Sequence, residues 1–406
     1  MTAPTSRIII GIKGPKRFAL KSLRIIIFAG YYLPYRGGYV ESLHGLSKGL
    51  VKAGHEVTIV TTNVSKSKSK EIIDGVQVVR LPGWHLLGGT YPIVAPTPHA
   101  LWMMLTLLFK RVDVVSTQTR FFVTSFLGAL YATVKLKPLV HTERGAYHSV
   151  VRSRFVDFAS RVIDHTMGWF VVRRAKRNVG VSQAACTFIK HLHGRNVSFI
   201  PNGVAIPTAL TQKKKVELRK KWGLKSSDRV LLFVGRLVYA KGVQDVLPFL
   251  TKLIKKEPHL KFVIVGSGTF REILEIEIEI LRLDKHVKFL GLLDSNDVVE
   301  CMQLSDWFVN PSHSEGLPRS VLEAASAGLP IVASDVGGTK EIIEHEKSGL
   351  IFNPKKKSEM GKGLQRVILN SDLSKKLGAA AQKRVEKEFT WPKIIGSYVD
   401  LMSQLV

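Results

Sequence analysis

Short apolar runs rich in β-branched residues recur along this chain, and a stretch long enough for a helix separates each from the next. RIIIFA (24–29), HEVTIVTTN (55–63), VQVVRL (76–81), DVVST (113–117) and KPLVHTE (137–143) form one series. RVLLFVGRL (229–237), LKFVIVGSG (260–268), VKFLG (287–291), DWFVNPS (306–312), PIVASD (330–335) and GLIF (349–352) form a second. Strand-length runs alternating with helical segments predict βαβ units, and hence a parallel sheet with helices on both faces. The series occurs twice in 406 residues, a length too great for one ordinary core, so two α/β domains are expected. VSFIPNGVAIPTAL (197–210) reads as the linker between them, and WPKIIGSYVDLMSQLV (391–406) as a further amphipathic helix. The expected division is a basic arm over 1–22, domains over 23–203 and 204–390, and a closing helix over 391–406.

A hydrophobic content of 45% with 23% charged residues fits a globular protein. Two cysteines, Cys186 and Cys301, are far apart in sequence and predict neither a disulfide framework nor a metal site, which suits a reducing cytoplasm. No run reaches the roughly 18–20 apolar residues of a spanning helix. Residues 98–109 and 121–134 fall short of it and read as buried helices, and residues 8–12 are too short for a secretory segment. The net charge of +28 is unevenly placed: residues 1–200 hold 28 Lys and Arg against 8 Asp and Glu, the remainder 32 against 24. A basic half of this kind implies an anionic partner, either phospholipid headgroups, a lipid-linked phosphate or nucleic acid. Nucleic acid is set aside, because the chain carries no zinc pattern, recognition-helix signature or aromatic RNA-binding motif.

The densest chemistry lies in SEGLPRSVLEAASAGLPIVASDVGGTKEII (314–343). DWFVNPS ends a strand, SHSEGLP continues as a loop, and RSVLEAASAG runs as a helix from Pro318, at its first position, to a stop at Gly328. No Ser, Thr, Asp or Asn stands directly before Pro318, which leaves the first helical N–H groups for an oxygen-rich ligand. Glu315 in the loop and Glu323 in the helix can accept hydrogen bonds from the hydroxyls of one polyol. Gly337 and Gly338 allow close backbone approach after the next strand. Arg236 and Lys241, five residues apart beyond RVLLFVG, suit a diphosphate. Gly266, in VGSG, opens a glycine-rich loop after another strand. In open α/β sheets the carboxyl edge of the strands is where ligands bind.

Together these residues resemble the retaining glycosyltransferases of family 4, the glycosyl transferases group 1 type with the two-lobed GT-B fold. The resemblance runs from about Arg24 onward and is most specific in Glu315 and Glu323 with seven residues between them. It extends to PYRGGYVESLHGLSKGLVKAGHEVTIVT (34–61). It implies two Rossmann-like domains facing a central cleft, with the last helix crossing back to the first domain. It implies a nucleotide-diphosphate hexose as donor, UDP- or GDP-linked, on the second domain, and no cofactor. Arg236 and Lys241 would hold the diphosphate and Glu323 the ribose. Glu315 and the backbone of Gly316, Leu317 and Pro318 would meet the donor sugar, with Gly37 and Gly38 approaching from the first domain. His141 matches a family histidine near the reacting centre. One departure is Ser116, Thr117 and Gln118, where the family often carries histidine. No Asp-x-Asp or other metal-ligand spacing is present, so cations and helix-end amides are expected to stabilise the leaving diphosphate, and the resemblance implies transfer with retention of configuration.

The acceptor would then meet the more basic first domain. The arm and the stretch 152–177 interleave cations with Phe155, Phe158, Trp169 and Phe170, a composition that suits an anionic membrane surface. Arg144, Arg152, Arg154, Trp169, Arg173 and Arg174 are the candidate acceptor and membrane residues. A lipid-linked saccharide or glycolipid explains the charge and the apolar residues together. A soluble sugar, sugar-phosphate or glucan acceptor is the alternative. The expected location is the cytoplasmic face of a membrane.

Overall fold

Ile25, Ile26, Ile27 and Phe28 are at most 2% exposed, because the strand that carries them is central and covered on both faces. The computed structural model describes residues 22–64, 67–86, 91–146 and 154–406, and only the backbone of residues 86 and 154–157. The basic arm before residue 22, and Arg152, lie outside the described residues.

Among the described residues, nine strands of the first half form one sheet. They are β1 (Arg24–Ala29), β2 (Glu56–Asn63), β3 (Lys70–Ile73), β4 (Val76–Leu86), β5 (Tyr91–Val94), β6 (Val114–Gln118), β7 (Leu139–Glu143), β8 (Arg177–Gly180) and β9 (Val197–Phe199). Their order is β3-β4-β2-β1-β6-β7-β8-β9, with β5 on β4. Pairing is parallel except at β3–β4 and β4–β5. The second sheet, all parallel, runs β12-β11-β10-β13-β14-β15. Its strands are β10 (Arg229–Val234), β11 (Leu260–Val265), β12 (Val287–Gly291), β13 (Trp307–Asn310), β14 (Ile331–Ser334) and β15 (Leu350–Phe352). The strand order reverses between β1 and β6 in one sheet and between β10 and β13 in the other. Each reversal leaves a crevice at the carboxyl edge, because the following helices leave on opposite faces.

Helices α1 (Gly38–Lys52), α2 (Pro98–Leu108), α3 (Val123–Val134), α4 (Arg154–Ile163), α5 (Trp169–Arg174) and α6 (Gln183–His191) flank the first sheet. A π-helical turn, Asp164–Gly168, joins α4 to α5. In the second half the site is built on α7 (Arg319–Ser326) and α8 (Thr339–Ile342). The final helix, α9 (Trp391–Ser403), packs on α1, and its Ile394, Tyr398, Val399, Leu401 and Met402 join the core that contains Leu23, Ile25 and Ile27. Gly45 and Gly49 make that contact: an added Cβ would sit 2.1 Å from Trp391 and 1.9 Å from Ile395. The two crossings between the halves lie side by side, with the Val204 N–H donating to the Phe389 carbonyl at 2.9 Å and Val204 bridging Thr390.

The expectation of two buried apolar helices needs correction. In α2 only Ala100, Met103 and Leu107 are buried, whereas Leu101, Trp102 and Leu105 face outward. In α3, Leu130 and Val134 are exposed.

Candidate active site

β13 leads into the loop that carries Glu315, and β10 leads into Arg236 and Lys241, so the switch crevice of the second sheet lies between them. Lys241 closes a 3₁₀ turn followed by Gly242 at φ +69°, and a Cβ there would sit 2.1 Å from the Pro311 carbonyl. Only glycine permits that approach. The turn thereby places Lys241 Nζ 2.6 Å from Glu315 Oε1, which also takes a hydrogen bond of 2.7 Å from Ser312 Oγ. Arg236 is exposed, and no described residue pairs with its guanidinium. Its charge reaches Tyr31 of the first lobe: burial raises the Tyr31 phenol above its ordinary pKa, and Arg236 opposes this.

Pro318 is the residue before α7 and not its first position, and no side chain caps the helix. Arg319 follows and pairs with Glu323 one turn on, Nε to Oε1 at 2.6 Å. Burial raises the Glu323 carboxyl above its ordinary pKa, against the pull of Arg319. Arg319 also crosses the cleft: its Nη1 lies 3.3 Å from Ser42 Oγ on α1, and a Cβ added at Gly38 would lie 3.6 Å from its side chain. Gly37 precedes α1 without a side-chain cap. Gly337, at φ +53°, packs under the Glu315 loop, 2.3 Å from the Glu315 carbonyl at its absent Cβ, and the Gly338 N–H donates to the Gly316 carbonyl at 2.7 Å. The Gly-Gly pair thus shapes the loop of Glu315, Gly316 and Leu317. Gly266, at φ +135°, has a comparable backbone task, because a Cβ there would meet the Gly235 carbonyl at 1.9 Å.

The opposite wall departs from expectation at His141. It is fully buried, with Nδ1 3.0 Å from Thr117 Oγ1 and Nε2 3.5 Å from Glu143 Oε2. β7 is paired on both sides, so His141 lies inside the sheet, and the chain first reaches the cleft at Arg144. The Arg144 carbonyl stands 2.1 Å from the point where Gly316 would carry a Cβ. Its guanidinium donates to Gln118 Oε1 at 3.1 and 3.2 Å and to Asn202 Oδ1 at 2.5 Å, and lies 5.8 Å from the Tyr39 ring centre. All these partners are neutral. Burial lowers its pKa from the usual arginine value, and the like charge of Arg319 adds to that.

Beneath Arg144 lies a buried ionic knot. Arg120 Nη1 is 3.0 Å from Glu143 Oε2 and Nη2 is 2.9 Å from Asp164 Oδ2, with all three side chains at most 2% exposed. Burial pushes the Glu143 carboxyl up, but Arg120, His141 and the Gly145 N–H outweigh it and hold the pKa near 2. Glu143 Oε1 accepts from the Arg144 and Gly145 N–H groups at 2.9 and 2.7 Å, so the knot aims Arg144. The remaining described acceptor-side candidates make local contacts. Trp169 is 41% exposed with Arg173 at 5.9 Å, and Arg174 is an internal strut to Thr133 Oγ1 and the Ala132 carbonyl. Arg154 opens α4, and its side chain lies outside the described residues.

Family models match both halves: "Glycosyltransferase Family 4" over residues 36–206 and "Glycosyl transferases group 1" over residues 214–384. The chain belongs to glycosyltransferase family 4. It is 28% identical over 398 residues to an uncharacterized glycosyltransferase of Methanocaldococcus jannaschii, covering 95% of this chain and 100% of that one. It is 26% identical to the alpha-monoglucosyldiacylglycerol synthase of Acholeplasma laidlawii (94% and 98% covered) and 25% identical to a glycogen synthase of Mycobacterium tuberculosis (92% of each). The crystal structure of Anabaena HepE in complex with UDP and glucose shares the fold, with a TM-score of 0.76, 20% identity, and 94% and 100% coverage.

In this glycosyltransferase a third glutamate also joins the lobes. Glu341 Oε1 accepts from the Gln183 N–H at 2.7 Å, at the start of α6. Burial pushes its pKa up to about 7, against that hydrogen bond. A carboxyl raised in the folded state stabilises fully below its unfolded value of about 4.3. That contribution is lost as pH rises through about 7. Glu341→Gln, uncharged throughout, should melt like the parent at acidic pH and above it at pH 8, as paired thermal melts would show.

Proposed function

We propose that this glycosyltransferase moves a hexosyl group from a nucleotide-diphosphate sugar to a lipid-linked saccharide or glycolipid at a membrane surface, with retention and without a metal requirement. The observation that carries the donor half is the convergence at one switch crevice. Arg236 stands there with a guanidinium unpaired among the described residues, Lys241 is locked to Glu315, and the uncapped start of α7 faces the uncapped start of α1. Arg236 and Lys241 take the diphosphate, and the free N–H groups at the helix start add donors. Glu323 accepts from the ribose hydroxyls. Glu315, oriented by Ser312 and Lys241, accepts from the sugar hydroxyls.

As the glycosidic bond to phosphate breaks, negative charge grows on the departing diphosphate. The fixed cations stabilise that charge more than they stabilise the ground state, which accelerates transfer. The departing phosphate takes the acceptor proton on the same face. Arg144 packs its backbone against Gly316 of the Glu315 loop. It is a cation held by neutral amides, free to stabilise charge on the phosphate or on a phosphate-bearing acceptor. Arg144→Ala should leave donor affinity nearly unchanged and lower kcat about 10- to 100-fold, a loss below that of a full oxyanion donor. Single-turnover kinetics would separate the two.

A thermal-shift panel of UDP-, GDP-, ADP- and dTDP-sugars, with and without a chelator, tests the donor site. One nucleotide should raise the melting temperature with or without chelator, since a ligand that binds only the folded state stabilises it. Glu323→Ala should abolish the rise. No shift with any nucleotide, or a shift that chelator removes, refutes the reading. The lipid acceptor rests on the basic first lobe and the similarity to a glucosyldiacylglycerol synthase. Its test is transfer to detergent-dispersed glycolipid against transfer to soluble sugars and glucans.

A further inference from the structure

α2 contains no charged side chain. Thr97 caps its start by accepting from the Ala100 N–H at 3.2 Å, and Ala100, Met103 and Leu107 seat it on the sheet. The opposite stripe is equally apolar. Leu101, Trp102, Leu105 and the following Phe109 are 63, 65, 43 and 89% exposed. Spaced at i, i+1, i+4 and i+8, they share one face. The C-terminal end of α3 abuts this helix: Tyr131 donates to the Leu107 carbonyl at 2.9 Å and Lys135 to the Leu108 carbonyl at 2.7 Å. Val134 and Leu136, on either side of Lys135, are 67% and 87% exposed. A monomer rarely leaves so much contiguous apolar surface uncovered.

Charge selects what covers it. Between Asp74 and Glu143 the only acid is Asp113, and Arg24 takes it at 2.7 Å. Lys110 and Arg111 follow α2 directly in sequence, and Lys135 and Lys137 follow α3, with Lys135 reaching the Leu108 carbonyl. Two copies of the chain meeting on this face would oppose like charges. A nucleic acid would meet the cations and leave the stripe in contact with water. Anionic headgroups over hydrocarbon satisfy both. Position agrees. The Ala95 N–H donates to the Pro82 carbonyl, and Pro82 pairs with Asn63 at the carboxyl end of β2, so α2 starts level with the cleft edge.

We propose that the outer face of α2 docks on an anionic bilayer, seating Leu101, Trp102, Leu105 and Phe109 at the boundary of headgroups and acyl chains. This rests on the lipid-acceptor reading and places the cleft mouth beside the membrane. Flotation with phosphatidylglycerol–phosphatidylcholine vesicles tests it against phosphatidylcholine alone. The full chain should float with the anionic vesicles only. The triple variant Leu101→Ser/Leu105→Ser/Phe109→Ser should partition at least about tenfold less, with an unchanged donor-induced thermal shift. Brominated lipid should quench Trp102, an effect lost in Trp102→Phe and kept in Trp169→Phe. Equal flotation of the triple variant overturns the proposal, as does equal binding to neutral vesicles. So does quenching that survives Trp102→Phe, or a dimer in light scattering that the triple variant abolishes. If detergent-dispersed glycolipid is used but the protein never floats, docking alone fails. If it floats but glycosylates no lipid, the acceptor reading alone fails.

Discussion

Arg236→Ala should reduce kcat/KM for glycosyl transfer by roughly 100- to 1000-fold, the loss measured when one preorganised donor to a developing anion is removed. The melting temperature of the donor-free protein should stay the same. Arg236 is exposed and its guanidinium bonds to no described residue, so truncating it strands nothing. Lys241→Met is the informative contrast. It deletes the cation 2.6 Å from Glu315 and leaves a carboxylate of 12% side-chain exposure without its partner, so activity and stability should fall together. Steady-state kinetics with a calorimetric scan of each variant would check both. An Arg236→Ala protein with near-normal turnover would remove the diphosphate from the β10 edge.

Arg120→Met should destabilise the first lobe by about 3–5 kcal/mol, the penalty of stranding a buried ionic partner. Here two carboxylates, Glu143 and Asp164, lose one shared cation, and the stacking of Arg120 over Phe188 at 4.1 Å is lost as well. Arg120→Lys should recover little of it, because an ammonium cannot reproduce a planar fork that spans two acids. pH gives a signature beyond the magnitude. In the parent, Glu143 is depressed to about 2, so its stabilisation is present above the unfolded value and lost as acid carries it through 2. Without Arg120 burial dominates and raises the Glu143 carboxyl, so the variant should regain ground as pH falls toward about 4.3, and the parent should lose its own below that. Denaturant titrations at neutral and acidic pH would show a gap that narrows.

The two lobes were legible because buried parallel strands read as continuous apolar runs at helix-length spacing, a pattern few other folds share. Glu315, Lys241 and Glu323 were legible for a related reason: each follows a strand whose end is easily seen. His141 misled because KPLVHTE shows no sign of where pairing stops. With β6 and β8 on either side, every residue through Glu143 is internal, and the first free position is Arg144. Arg319 was passed over because its value lies in a contact with Ser42, 277 residues away. α2 was read as buried because a helix that is apolar all round normally is. Periodicity carries no information when there is no polar face to find. Gly337 was read as a site of close backbone approach, and what packs against it is the backbone of the Glu315 loop.

The tuck of α9 against Gly45 and Gly49 also sets an order of events during synthesis. Nascent chains ordinarily fold domain by domain from the amino end. Here the core begun by Leu23 and Ile25 is completed by Ile394, Tyr398 and Met402. The earlier-made lobe must therefore emerge from the ribosome with one flank of α1 bare, and it closes only after the entire later-made lobe has been translated.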